Sequence, residues 1–192
     1  RLKNSFYCFS NPGEDNFPIK RKPNKTLIYG CFSNIKKINE TVIDSWTKIL
    51  SKNTDSRILL KSQYYRDEEI KESILKKFLD EGINETRITF DYDSLRENYL
   101  LDYNNIDVIL DTYPYPGGTT TCESLFMGTP VITMEGNSFL SRKGENILRN
   151  SGFSDFIAKN KKEYIDIAID IKNILNNLNY NKENIRKKYI TC

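Results

Sequence analysis

Apolar and polar residues follow two different patterns along residues 26–178. Short runs of apolar and β-branched residues predict buried strands, whereas apolar residues repeated three and four positions apart predict one-sided helices. The short runs predict strands at residues 26–32, 57–61, 87–90, 106–111 and 130–134. The helical spacing predicts helices at residues 39–52, 67–81, 94–103, 119–127, 141–150 and 161–178.

Strands and helices that alternate in this way form parallel sheets, because each helix returns the chain to the start of the next strand. The apolar centre of the strand at 106–111 also predicts burial on both faces. We therefore predict an α/β fold with a Rossmann-like, doubly wound parallel sheet. Residues 26–192 would form this domain, and the proline-punctuated residues 1–25 would form a linker or strap that enters it.

The charge balance and the hydrophobic runs limit the possible partners. The chain has 29 basic and 26 acidic residues, a net charge of +3, whereas a nucleic-acid surface requires concentrated basic charge. We therefore predict no nucleic-acid partner, and we expect the basic cluster at residues 186–188 to be a solvated helix end. Because no stretch approaches 18 consecutive apolar residues and no signal segment opens the chain, we also predict no membrane partner and a cytoplasmic location.

The histidine and cysteine content narrows the possible chemistry. The sequence has no histidine, so no Ser–His or Cys–His couple can exist within it. A general base must therefore be a carboxylate, a lysine or a tyrosine, or must come from elsewhere. The four cysteines, Cys8, Cys31, Cys122 and Cys192, are far apart without a CxxC pair. They favour reduced thiols over a zinc site, and we predict no metal and no cofactor.

The segment DTYPYPGGTTTCE, residues 111–123, carries the clearest chemical signal. It directly follows a predicted buried strand and opens a helix, which is where open parallel sheets bind ligands. Gly117 and Gly118 permit close approach of backbone to a phosphate, and the helix beginning at Thr119 would offer free N–H groups to an anion. Thr119 and Thr120 add hydroxyl donors, and Glu123, one turn further, could accept both hydroxyls of a ribose.

The same residues also fit an ordinary β–α turn, in which the glycines serve geometry and the threonines cap the helix. The segment is neither a Walker loop, because no lysine follows the glycines, nor a GxGxxG dinucleotide fingerprint. Lys37, for its part, could be a solvated surface residue beside Lys36.

The run DTYPYPGGTTTCESLFMGTPVIT, followed by SRKG at 141–144, resembles the signature of the O-linked N-acetylglucosamine transferase family. The stretch GCFSNIKKI at 30–38 resembles the family's GxFNxxxKI pattern. Shorter matches at 56–61, 87–90 and 156–164 occur in the same order and spacing, so the similarity spans nearly the whole chain.

This resemblance implies a GT-B enzyme, in which two Rossmann-like domains face each other across a cleft. The chain matches the carboxyl-terminal, UDP-sugar-binding domain, so the partners implied are a UDP-sugar donor, an acceptor protein and an amino-terminal GT-B domain. By position, Lys37 would contact the diphosphate and act in catalysis by stabilising the departing UDP, and Thr119 and Thr120 would bind phosphate. Asn34 stands where the family usually has glutamine, and Arg96 where it often has a lysine near the uracil and ribose.

Two positions depart from the family pattern. Gly118 occupies a position that is histidine in animal members, which removes a side-chain contact to the nucleotide. Glu123 replaces an aspartate at the ribose-binding position, which keeps the charge but lengthens the reach. Both changes bear on sugar and nucleotide preference.

The resemblance predicts transfer of N-acetylglucosamine from UDP-GlcNAc to Ser or Thr hydroxyls of proteins, without a metal. The isolated chain would bind UDP but transfer nothing, because it lacks an acceptor-binding half. Two alternatives remain open, namely transfer of glucose to asparagine and a nucleotide-binding module without catalysis.

Overall fold

The computed structural model describes residues 8–20, 26–92 and 96–192, without the side chains of Arg96 and Glu97. The parts of the predicted strap at residues 1–7 and 21–25 therefore lie outside the described residues. The same holds for residues 93–95, where the third predicted helix begins.

The strands form a parallel sheet, as the alternating pattern predicted. Its six members are β1 (Ile28–Cys31), β2 (Arg57–Lys61), β3 (Ile88–Asp91), β4 (Val108–Leu110), β5 (Val131–Met134) and β6 (Ile157–Ala158). They are arranged in the order β3-β2-β1-β4-β5-β6, and every adjacent pair is parallel. This order defines a doubly wound sheet, in which the direction of winding reverses between β1 and β4. The predicted fold class is confirmed.

Helices pack on both faces of this sheet. They are α1 (Glu40–Lys52), α2 (Glu68–Asp80), α3 (Arg96–Leu101), α4 (Thr119–Phe126), α5 (Lys143–Asn150), α6 (Lys161–Ile169), α7 (Ile171–Asn177) and α8 (Lys182–Ile190). One group joins α1 to α2 and α6, and the other joins α4 to α5 and α8. Because crossovers in parallel sheets are right-handed, reversal of the winding puts the two groups on opposite faces.

Asparagine and aspartate side chains cap the N-termini of several of these helices. Asn39 accepts a hydrogen bond from the backbone N–H of Val42 at 3.0 Å, and Asp67 accepts from Glu69 at 3.0 Å. Such caps satisfy N–H groups that have no partner within the helix. The helices α1 and α2 consequently start within one residue of their predicted positions.

Aromatic side chains fill the core between the sheet and α1. Trp46, Tyr29 and Tyr164 are fully buried, and each polar end has a partner. The Trp46 indole donates to the Tyr164 hydroxyl at 3.2 Å, and the Tyr29 hydroxyl donates to the carbonyl of Ala168 at 2.7 Å. These bonds remove the penalty of burying polar atoms and tie α1 and β1 to α6.

The prediction of one continuous helix at 161–178 was wrong, because the structure divides this segment into α6 and α7 at Asp170. The carbonyl of Ala168 accepts from Tyr29, and that of Ile169 accepts from Asn53 at 3.2 Å. Side chains of other elements thus take carbonyls that a continuous helix would use internally. The structure also contains β6 and α8, which the sequence patterns did not predict.

The prediction that residues 186–188 form a solvated helix end was wrong for Arg186. This side chain is 7% exposed, and its guanidinium donates to the carbonyls of Phe126 at 2.5 Å and Phe17 at 2.7 Å. Arg186 therefore joins α8 both to α4 and to the segment before β1.

The described part of the predicted strap, residues 8–20, packs on the domain. Phe17 is buried, and the ring of Phe9 lies 6.2 Å from the rings of both Phe126 and Tyr189. Among the described residues, no helix combines the length and the apolar character needed to cross a membrane.

Candidate functional site at the β1 and β4 strand ends

The segments that follow β1 and β4 meet at the point where the sheet reverses its winding. The Lys37 ammonium group donates to the carbonyl of Pro116 at 3.1 Å, and the Asn39 amide donates to the carbonyl of Tyr113 at 2.8 Å. The predicted lysine and the glycine–threonine turn are thus brought together. Ligand crevices in doubly wound folds form at this switch point.

The buried carboxylate of Asp111 organises the turn after β4. Its Oδ1 atom accepts from the backbone N–H groups of Thr112 at 2.9 Å and Gly117 at 2.7 Å. Its Oδ2 atom accepts from the Thr133 hydroxyl at 2.8 Å. Burial raises the pKa of Asp111, and these hydrogen bonds and the charge of Lys37 act in the opposite direction. One side chain therefore folds residues 111–117 back on themselves and attaches them to β5.

Gly117 is required by the space around it. A Cβ atom at this position would lie 2.6 Å from Oγ1 of Thr120, 2.7 Å from Oγ1 of Thr121 and 3.3 Å from Oδ1 of Asp111. A side chain would displace the threonine hydroxyls at the start of α4. The space therefore explains the glycine through the packing of the turn, and its approach to a phosphate stays a prediction.

Tyrosines on both sides of the turn fix its position. The Tyr113 hydroxyl lies 2.5 Å from Oγ of Ser45 in α1, and Tyr164 of α6 donates to the carbonyl of Asp111 at 2.8 Å. Within the turn, the Thr112 hydroxyl donates to the carbonyl of Tyr115 at 2.8 Å. The turn is attached to two helices and to a strand, so its backbone is held before any ligand arrives.

The helix α4 begins at the edge of this turn. Gly118 is its N-cap residue and has no side chain with which to cap the helix, Thr119 is exposed and Thr120 is half-buried. The positive end of the helix dipole therefore lies at an accessible corner. This arrangement suits an anion.

The other predicted contacts differ in accessibility. Glu123 is 6% exposed, and its charge acts on the hydroxyls of Tyr99 and Tyr103, whose pKa values are raised mainly by burial. Asn34 is exposed and caps a 3-10 turn, where its Oδ1 accepts from the N–H of Lys36 at 3.0 Å. Arg96 begins α3, and its side chain lies outside the described residues. What these residues bind stays a prediction.

Three residues at this corner were missed by reasoning from sequence, namely Asp111, Tyr115 and Lys143. Asp111 carried a signal, since a carboxylate directly after an apolar strand end is poised to accept N–H groups of the following turn. Tyr115 and Lys143 lie within the segments that resemble the family signature, but nothing local indicated that they meet, because they come together only when α5 and the turn after β4 are folded.

A cavity of about 450 Å³ lies elsewhere, between the segment 8–20, α4, α5 and the end of α8. Its lining residues include Phe9, Cys122, Phe126, Ile147 and Tyr189. None of the predicted ligand contacts lines it. It does not belong to the candidate site.

Comparison with known proteins gives the family. Residues 19–192 match the family described as Glycosyl transferase family 41. The chain belongs to glycosyltransferase family 41. Rice SPINDLY, named a probable UDP-N-acetylglucosamine–peptide N-acetylglucosaminyltransferase, is 33% identical over 175 residues, which cover 89% of this chain and 19% of the rice protein. The UDP-N-acetylglucosamine–peptide N-acetylglucosaminyltransferase of Caenorhabditis elegans is 31% identical over 147 residues, which cover 77% of this chain and 12% of that protein.

Solved structures share the fold, and one of them agrees with this family 41 assignment. A mutant of the O-GlcNAc transferase of Thermobaculum terrenum matches with a TM-score of 0.87 and 31% identity, over 94% of this chain and 35% of that one. The carboxyl-terminal domain of the group 1 glycosyltransferase LpcC from Francisella tularensis matches with a TM-score of 0.60 and 16% identity, over 86% of this chain and 85% of that domain. This second likeness concerns the fold alone. The family 41 chain spans about a fifth of the length of the SPINDLY relatives that it matches.

Proposed function

We propose that residues 26–192 hold the nucleotide-sugar donor of a GT-B glycosyltransferase, with residues 1–25 as the strap that enters the domain. The whole protein would transfer N-acetylglucosamine from UDP-GlcNAc to Ser or Thr hydroxyls of an acceptor protein. The observation that carries the proposal is the approach of Lys37 to Pro116, 3.1 Å away, in the turn that leads into α4. Membership of family 41 and the names of the relatives support the choice of donor and acceptor.

The proposed chemistry follows from the charges at this corner. Cleavage of a sugar–diphosphate bond leaves negative charge on UDP, and fixed donors stabilise charge as it develops. Lys37, the hydroxyls of Thr119 and Thr120, and the N-terminus of α4 would supply this stabilisation without a metal or cofactor. Gly117 and Gly118 would admit the diphosphate to the backbone, while Glu123 would accept from the ribose and Asn34 and Arg96 would flank the nucleotide.

The remaining steps concern the acceptor and its general base. Because the sequence has no histidine, the base that activates the acceptor hydroxyl would be a carboxylate, a lysine or a tyrosine, or would come from the facing GT-B domain. We expect the isolated chain to bind UDP and to transfer no sugar. All four cysteines are unpaired and two of them are buried, which supports the proposed cytoplasmic location, where thiols stay reduced.

Calorimetry on the 192-residue chain tests the donor site. A charge-assisted hydrogen bond contributes about 1.5–3 kcal/mol, so Lys37→Met and Glu123→Ala should each weaken UDP binding about tenfold or more. Lys36→Met is the matched control, since Lys36 is an exposed lysine of the same 3-10 turn, and its UDP affinity should stay within about twofold of wild type.

Two results would contradict the proposal. One is a wild-type chain that does not bind UDP, or that binds UDP no better than GDP and ADP. The other is unchanged UDP affinity in both site variants. Mass spectrometry of peptides incubated with a longer protein containing this chain, using UDP-GlcNAc and UDP-glucose, would then identify the sugar and the modified residue.

A further inference from the structure

Two lysines from different elements approach the ring of Tyr115. The ammonium nitrogen of Lys37, from the segment after β1, lies 4.6 Å from the ring centroid. That of Lys143, the first residue of α5, lies 5.0 Å from the same centroid and 3.4 Å from the Tyr115 hydroxyl. These two centroid distances set an upper limit of about 10 Å on the separation of the nitrogens.

The position of Lys143 is fixed by its neighbour Gly144. A Cβ atom on Gly144 would lie 2.5 Å from Oγ1 of Thr133 and 2.8 Å from Oδ2 of Asp111. Only a residue without a side chain lets α5 start this close to the buried carboxylate. Since Asp111 also holds the turn that carries Tyr115, one contact sets Lys143 beside that ring.

Neither lysine forms an ion pair with a carboxylate of the described residues, although such pairs occur elsewhere in them, for example between Lys61 and Asp102. Two ammonium groups held near each other repel, and the electron-rich face of a tyrosine compensates only part of that repulsion. Arg142, the N-cap residue of α5, has no acceptor atom with which to cap the helix. The first turn of α5 also carries Glu145, which pairs with Arg149 at 2.9 Å, so the positive charge at this corner comes from the two lysines and the start of α4. The arrangement fits an anion with two charged groups.

We propose that Lys143 is a second cation for the diphosphate of the donor, and that it binds the phosphate further from the nucleoside. This inference rests on the proposed function. Lys37 and the start of α4 would hold the diphosphate from one side, and Lys143 would reach its further phosphate from the other side, across the hydroxyl end of Tyr115. Lys143 would thus be a donor-binding residue from α5, an element outside the turn between β4 and α4.

Binding of UDP and of UMP to Lys143→Gln separates this role from a general effect of charge. We expect the Kd for UDP to rise about tenfold, which is the loss of one charge-assisted contact, and the Kd for UMP to change less than about twofold. Lys143→Arg, which keeps the charge, should stay within about threefold of wild type for UDP. Lys187→Gln is the control, because it removes the same charge from an exposed position in α8.

The outcomes are distinguishable from those that test the donor site itself. If wild type binds UDP and Lys37→Met weakens it, but Lys143→Gln leaves it unchanged, the second-cation role is wrong and the donor site stands. Equal losses in Lys143→Gln and Lys187→Gln, or equal losses for UDP and UMP, would also overturn it. If wild type does not bind UDP, both proposals fail together.

Discussion

Replacing Asp111 with alanine should destabilise the domain more than any change at its exposed ligand contacts. The carboxylate is 2% exposed and accepts three hydrogen bonds, two of them from backbone N–H groups of the turn and one from Thr133. Alanine leaves all three donors without their acceptor. The turn that carries Pro116, which accepts from Lys37, would lose the two hydrogen bonds that Asp111 makes across it.

The expected loss of stability in Asp111→Ala follows from the hydrogen-bond donors that lose their acceptor. A buried N–H group without a partner costs about 1–3 kcal/mol, so the two backbone groups of Thr112 and Gly117 together give about 4 kcal/mol. Domains of this size are stable by about 5–15 kcal/mol. The alanine variant should therefore be folded at 25 °C but lose a large part of its free energy of unfolding.

Asparagine at position 111 provides the matched comparison. Its carboxamide has the shape of the carboxylate, so Oδ1 can keep both backbone N–H groups and Nδ2 can donate to the Thr133 hydroxyl. It also removes a buried charge, and burial is the main cause of the raised pKa of Asp111. The loss of stability should then be about 1 kcal/mol.

Urea denaturation at pH 7, followed by circular dichroism, measures both variants, and calorimetry with UDP shows whether the turn keeps its shape. Asp111→Asn should retain UDP binding, whereas Asp111→Ala should weaken it even where the chain is still folded. The reasoning is refuted if the alanine variant lies within 1 kcal/mol of wild type, or if alanine and asparagine cost the same.

Two further predictions use other parts of the domain. Gly117→Ala should weaken UDP binding about tenfold, because the new Cβ would lie 2.6 Å from the Thr120 hydroxyl. At Gly82 there is open space for a Cβ atom, but φ is +77°. Gly82→Ala should therefore cost about 1 kcal/mol of stability and leave UDP affinity unchanged. Equal UDP affinities in wild type and in both glycine variants would contradict the expectation for Gly117→Ala. Burial lowers the pKa of Lys182 to about 8 from its usual value of about 10.4. Below pH 8 Lys182 is protonated in both the folded and the unfolded chain, and burying its charge costs about 3 kcal/mol of stability. Between the two pKa values the unfolded chain binds more protons than the folded chain, so the free energy of unfolding rises with pH. The free energy of unfolding of wild type should therefore gain about 2 kcal/mol relative to Lys182→Met from pH 7 to pH 9.5, and parallel urea-denaturation profiles of the two proteins across this range would show that the pKa of Lys182 is not lowered.

The parallel sheet and the β4–α4 turn could be predicted from sequence because both depend on local patterns. Apolar runs of strand length and apolar residues at helical spacing indicate which residues are buried. A Gly-Gly-Thr sequence after a strand indicates a tight turn that leads into a helix. The family resemblance then added Lys37. Neither pattern required knowledge of which distant residues meet.

The features that sequence could not predict depend on long-range contacts. The break at Asp170 arises because Tyr29 and Asn53 take two carbonyls of α6. Arg186 is buried because it finds the carbonyl of Phe17, 169 residues away in sequence. A charged residue within a polar helix gives no local sign of such a partner.

The candidate site shows why a buried acid can matter to function without touching a ligand. Both Gly117 and Gly144 approach Asp111 closely, so α4 and α5 begin around one carboxylate. This packing brings Lys37, from the segment after β1, and Lys143, from α5, to the ring of Tyr115, although neither lysine bonds to Asp111. The prediction that Asp111→Asn keeps UDP binding while Asp111→Ala weakens it therefore separates positioning from charge, since asparagine retains the geometry and removes the negative charge. If the charge itself were what positions the two lysines, asparagine would fail as alanine does.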